Sequence, residues 1–250
     1  MSRVIARNEW RRLFAQPLAW ALLAAVLAVL AYFFLLTLQG FLGLMPKLAG
    51  MPSAPGVTDL VALPLERAIA SIALIVAPLL GMRAIAGERQ SGTLALLQTS
   101  GTSGAGIVFG KFVALCGFFV VLIALALAMP ASLAIGSQPD WGRIVTGALG
   151  LILFAAALSA IAIAASSFTR HAVVAAVVAL ALNLVLWMLD AGARHEGVSS
   201  SFINYLALPT HLEPFLRGIV ATVDIVYFAL IVAVALTLAA RRLDAERERG

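Results

Sequence analysis

The chain is short of charge. Only 12% of its 250 residues are Asp, Glu, Lys or Arg, while 62% are apolar or aromatic. Soluble domains carry about 25% charged and roughly 45–50% apolar residues, so a water-facing surface cannot be covered from this composition. An ordinary cytosolic enzyme is excluded, and so is a disordered chain. Cysteine is scarcer still: Cys116 stands alone, which excludes an intrachain disulfide framework. The net charge of +5 would suit nucleic acid only as a basic patch interleaved with aromatics, and long apolar runs leave no room for one.

Those runs are what the sequence does have. Crossing a hydrocarbon core of about 30 Å takes roughly 20 apolar residues at ~1.5 Å each. Leu18–Pro46, Phe112–Pro139, Ile144–Thr169 and His171–Leu189 are free of charge, and each holds a span. Ala68–Met82 and Ile225–Ala240 reach spanning length by extending outward through Pro64–Arg67 and Gly218–Asp224, where charges near a helix end are tolerated. Six spans result, at about 18–38, 64–85, 107–129, 144–165, 172–189 and 218–240, forming one domain over 1–250. The first run is too long for a signal-peptide core and reads as a retained span.

With six spans both termini share a side. Twelve of the seventeen basic residues fall there, among them Arg3, Arg7, Arg11, Arg12, Arg83, Arg89, Lys111, Arg241 and Arg242. The opposite side has Lys47, Arg67, Arg143, Arg194 and Arg217. Such a bias marks the cytoplasmic face, so both termini are expected inside. The fold class is therefore an all-α integral membrane protein of the cytoplasmic membrane.

Three segments carry candidate chemistry. Arg3, Arg7 and Arg11 recur at helical spacing, with Trp10, Leu13 and Phe14 on another face and Glu9 between. This predicts an amphipathic elbow helix in the headgroup layer, its basic face toward anionic lipid and its aromatic face toward acyl chains. The loop between spans two and three, 83–106, holds Arg83, Glu88 and Arg89, then Ser91-Gly-Thr93. Gly92 relieves the backbone, and Ser91 or Thr93 can cap a short helix over 93–99, with Leu94 and Leu97 on one face. A short helix with an apolar face, framed by charges up to Lys111, suits docking into a groove on another protein. The Gly-rich stretch before Lys111 is not a phosphate loop, because Ala105 stands where that motif needs glycine and Phe112 where it needs Ser or Thr.

Toward the end, Asp224 is read as lying inside the outer end of the last span, and an intramembrane carboxylate is a functional candidate by default. Arg217 and Glu213 precede it at spacings that put all three on one face, as an interfacial pair or a proton relay. His195, Glu196, His211 and Glu213 match no metal-ligand spacing, so no metal is expected. No nucleophile and base pair is visible, and catalytic residues are expected to be absent.

The residues resemble a known family, the membrane subunits of ABC-2-type transporters, in particular the six-span permeases of gliding-motility and nitrous-oxide-reductase-maturation systems. Asn8-Glu-Trp-Arg-Arg-Leu-Phe-Ala-Gln-Pro17 resembles the family's elbow. Pro78-Leu-Leu-Gly-Met-Arg-Ala-Ile-Ala-Gly-Glu-Arg-Gln-Ser-Gly-Thr-Leu-Ala-Leu-Leu97, followed by Gly110-Lys111, resembles its coupling-helix signature. His211-Leu-Glu-Pro-Phe-Leu-Arg-Gly-Ile-Val-Ala-Thr-Val-Asp-Ile-Val-Tyr-Phe228 is similar to the outer re-entry segment of the gliding branch. Glycine at 101 replaces a proline of the usual pattern.

The resemblance implies a permease with no cofactor of its own. ATP and Mg would be bound by two copies of a separate ABC ATPase subunit, docked on Arg83, Glu88, Arg89, Gly92, Thr93, Leu94, Leu97 and Lys111. It further implies a homodimer, or a pair with a sister permease, in a bacterial inner membrane, and no nucleic-acid partner. Two other readings accompany it. One is an ATP-driven mechanotransmission subunit acting on an extracytoplasmic protein. The other is an ATP-independent channel or proton-coupled carrier using Asp224.

Overall fold

The computed structural model describes residues 2–15, 17–48, 55–93, 103–195 and 205–247. The regular structure among these residues is entirely helical. An N-terminal helix α1 (Ser2–Ala15) precedes α2 (Pro17–Leu48). A π-helical turn, Thr58–Ala62, feeds α3 (Leu63–Gly81), and a tight turn over 82–85 leads to the short α4 (Ala86–Gln90). Then come α5 (Gly104–Ser132), α6 (Trp141–Phe168), α7 (Ala172–His195), the short α8 (Leu208–Leu216) and α9 (Thr222–Arg247). Among the described residues six helical stretches are long and apolar enough to cross a membrane, the π-helical turn, α3 and α4 together making one of them.

Local chemistry sets the helix starts. Ser103 caps α5 by accepting the Gly106 amide at 3.2 Å, and Asp140 caps α6 by accepting the Arg143 amide at 3.2 Å. The central element is α6, which packs against α3, α5, α7, α8 and α9. Glycines let it do so: a Cβ at Gly150 would fall against Phe215, and one at Gly147 against the Glu66 carboxylate. Small residues bring spanning helices close because, without a hydrophobic driving force in lipid, dispersion contacts must do the holding. By contrast α2 and α7 are mostly exposed, with Val29, Tyr32, Leu35, Val173, Val177 and Val185 facing outward.

The sequence-based boundaries change at the outer side. The last span does not extend back through Gly218. There α8 ends in a turn where Gly218 takes φ 86°, its amide bonds the Phe215 carbonyl at 3.0 Å, and the Ile219 amide bonds the Pro214 carbonyl at 2.9 Å. This paired closure ends a helix with glycine in the left-handed region, and α9 begins afresh at Thr222. Arg217 and Asp224 therefore belong to different helices, and the shared face predicted for them does not exist. Asp224 sits in the first turn of α9 rather than two turns inside a longer helix. At the first span, α2 runs past the expected end near 38 and through Pro46 to Leu48.

Candidate functional site

The face that the charge bias assigns to the cytoplasm gathers α1, α4, the start of α5 and the end of α9. Its centre is an ion network. Lys111 Nζ donates to Glu88 Oε1 at 2.6 Å and to Glu9 Oε1 at 3.1 Å, and Arg12 donates to the same Glu88 oxygen at 3.2 Å. The Lys111 and Glu88 side chains are each 4% exposed. Desolvating two charges costs several kcal/mol per ion before their attraction repays it, so an ion pair this deep fixes geometry more than it adds stability. Glu88 Oε2 is buried without a hydrogen-bond partner. It borders a cavity of about 290 Å³ lined by Glu9, Arg12, Arg83, Glu88, Ser91 and Lys111.

Glu88, expected as a contact for a docking protein, is buried and held by Arg12 of α1 and Lys111 of α5. The aromatic face of α1, expected on acyl chains, lies on protein instead: the Trp10 ring covers Gly117 so closely that a Cβ there would enter it, and the Phe14 ring lies tilted at 6.2 Å from Phe118. Trp10 and Phe14 also pair with each other at 4.6 Å. Arg11 is exposed on the remaining face.

A second set of bonds ties α4 to the far end of the chain. Arg89 donates to both Glu246 oxygens, at 2.7 and 2.8 Å, and to the carbonyls of Ser167 at 2.7 Å and Thr169 at 2.6 Å. Asp244 Oδ1 accepts the Gly104 amide at 2.9 Å. The last turns of α9 thus hold residues on both sides of the segment 94–102. Ser166 Oγ accepts the amides of Ile85 and Ala86 at 3.1 and 2.9 Å and donates to the Met82 carbonyl at 2.9 Å, satisfying the turn into α4. Ser91 and Thr93 donate to the Glu88 carbonyl at 3.3 and 3.4 Å. They close the end of α4, Gly92 permits the turn at φ 71°, and Thr93 is helical again. Leu94 and Leu97 lie outside the described residues.

At the opposite face, His211 links α8 to α9. Its Nδ1 is 2.6 Å from Asp224 Oδ1 and its Nε2 is 2.9 Å from the Tyr205 carbonyl. A carbonyl only accepts, so Nε2 is the donor to Tyr205. The ring stacks on Tyr227 at 3.8 Å. Asp224 is therefore partnered by His211 and not by Arg217. Arg217 bonds Glu213 at 3.0 Å, and Arg67 of α3 bonds the same carboxylate. Burial alone pushes the Glu213 carboxyl up, but the hydrogen bonds and charges of Arg67 and Arg217 outweigh it and hold the pKa below the usual 4.5. No group of three metal-ligating side chains exists among the described residues.

A model of the family described as ABC-2 family transporter protein matches residues 3–192. The chain belongs to the ABC-2 transporter family. A search of curated proteins returned no match. As an ABC-2 permease the chain is a multi-pass membrane subunit, and the match takes in α1, the 83–106 loop and five of the six spans, leaving α8 and α9 beyond it.

Within this ABC-2 permease the structure brings together Glu9, Glu88 and Lys111 from the sequence-predicted site, while Arg83 borders their cavity and Arg89 faces the other way. Sequence reading missed four partners: Arg12, Asp244, Glu246 and His211 as the mate of Asp224. Arg12 had a local signal, standing three residues after Glu9 and so one helical turn away. The acidic residues of the last turn had none, because 157 residues separate Arg89 from Glu246.

Proposed function

We propose that this ABC-2 permease is the membrane half of an ATP-driven exporter, moved by a separate ABC ATPase that docks on the 83–106 loop. ATP and Mg belong to that partner. The observation that carries the reading is the buried Lys111–Glu88 pair at 2.6 Å, which makes α4 and the base of α5 one body with the elbow helix. A push on the loop is then delivered to spans two and three together and, through Arg89 and Glu246, to span six. Glu88, Lys111 and Arg89 act as positioning residues in this scheme, and the docking surface itself falls to Thr93, Leu94 and Leu97. Two copies, or one copy and a sister permease, would enclose the path in a bacterial inner membrane. The outer segment with His211, Glu213 and Asp224 supports a place near the gliding-motility and nitrous-oxide-reductase-maturation branch.

The test is co-expression with a candidate ABC ATPase. We expect stoichiometric co-purification that Leu97→Asp abolishes while the permease still inserts and elutes as a single folded species. An ATPase retained in full by Leu97→Asp would overturn the docking assignment.

A further inference from the structure

Both α7 and α9 pack on α6 but scarcely on each other. Between them runs a furrow of about 740 Å³, floored by Ile161, Ala164 and Ala165 of α6. Its walls are Val178, Leu182 and Leu186 on one side and Leu230, Val234 and Leu238 on the other. The small side chains of the floor make it deep, and its lining is almost all carbon. At the far end Tyr205 and Tyr227 line it, and the Tyr227 hydroxyl is already spent on the Leu206 carbonyl at 2.6 Å. From Tyr227 to Leu238 the furrow is about 16 Å long at ~1.5 Å per residue, about half of a hydrocarbon core of roughly 30 Å. That is the depth of one leaflet.

The end toward the basic face differs from the rest. Phe168 closes it, and Arg242, one turn beyond Leu238, lies over the Phe168 ring with its guanidinium carbon 5.9 Å from the centroid. Arg242 Nε is buried without a partner. Among the described residues the acid on this guanidinium is Glu246, at a slack 3.5 Å and already engaged by Arg89. A dry slot one leaflet deep with an under-satisfied cation at its mouth is complementary to one molecule class, an amphiphile with a negative head.

We propose that the furrow holds a hydrocarbon chain of one anionic lipid from the basic-face leaflet, its headgroup against Arg242. The volume of about 740 Å³ falls within the range of about 300–1,000 Å³ typical of small-molecule sites, and the cation at the mouth suits an anionic headgroup. The site is separate from the proposed ATPase-docking loop, and its test needs no ATPase.

The purified permease is reconstituted in vesicles of phosphatidylcholine carrying a trace of phosphatidylglycerol with a photoactivatable chain, and adducts are mapped by peptide mass spectrometry. We expect adducts concentrated on 178–186 and 227–238 over the lipid-facing positions of α2. Phosphatidylcholine bearing the same photoactivatable chain should label these residues less. Val234→Trp, at a position 56% exposed and so tolerant of bulk, should block the slot and remove the adducts. Arg242→Gln should lower labelling about fivefold, the effect of one cation near a membrane surface, and Arg242→Lys should restore it. Labelling spread evenly over α2, α7 and α9, or equal for both headgroups, would overturn the proposal. So would tryptophan at 182 or 234 leaving labelling intact while dissociating a dimer, which would make the furrow an interface between copies.

Discussion

Lys111 of α5 and Glu88 of α4 meet at 2.6 Å with their side chains 4% exposed, and Arg12 and Glu9 of α1 complete the group from the other side. Three elements separated widely in sequence thus meet at one buried ion pair, with Glu9 largely covered and Arg12 half exposed at its edge. The elbow is joined to α4 and α5 by contact and not merely by order along the chain.

Removing one member of that pair should cost more than removing both. Lys111→Met leaves Glu88 buried with only Arg12 beside it, and an uncompensated buried charge costs about 3–5 kcal/mol. The double variant Lys111→Met, Glu88→Gln should recover most of this loss. Thermal unfolding in detergent, followed by circular dichroism, checks the order; a double variant no better than the single one would contradict it.

Gly117 should be intolerant of even one methyl group. A Cβ there enters the Trp10 ring, and the elbow helix must lift for it to fit. Gly117→Ala is expected to loosen α1 and so speed tryptic cleavage after the already exposed Arg11 and Arg12, and the added change Trp10→Ala, which empties the space, should slow that cleavage again.

Acid should act on the outer face through Glu213. Its pKa is lowered in the folded protein from the ordinary 4.5, so its contribution to stability is complete above that value and is lost as pH falls through the depressed one. Arg67 and Arg217 lose their common partner at that point. Melting temperatures measured downward from pH 6 should fall more steeply for the natural chain than for Glu213→Gln, which lacks this proton site; identical slopes would count against the linkage.

Much of the fold could be read along the chain because a bilayer imposes it. Apolar runs such as those of α5 and α6 must be helical where no water can satisfy backbone groups, and the basic residues near Arg83 and Arg241 mark a side. The break at Arg217–Gly218 was harder to see, since apolar Ile219–Val220 continues the hydropathy of the span. Only the backbone reversal at Gly218, crowded against Arg143, decides that α8 and α9 are separate.

The sequence by itself determined that this is a six-span helical membrane protein with its ends on one side, and which loop carries the charge. Those properties depend on composition and on spacing of a few residues, which chemistry reads locally. Tertiary structure alone decided who meets whom. Glu88 turns inward to Lys111, Asp224 goes to His211 rather than Arg217, and the last turn of α9 reaches back to Arg89 and Gly104. These pairings depend on how helices lie across one another, and the distance along the chain carries no trace of it.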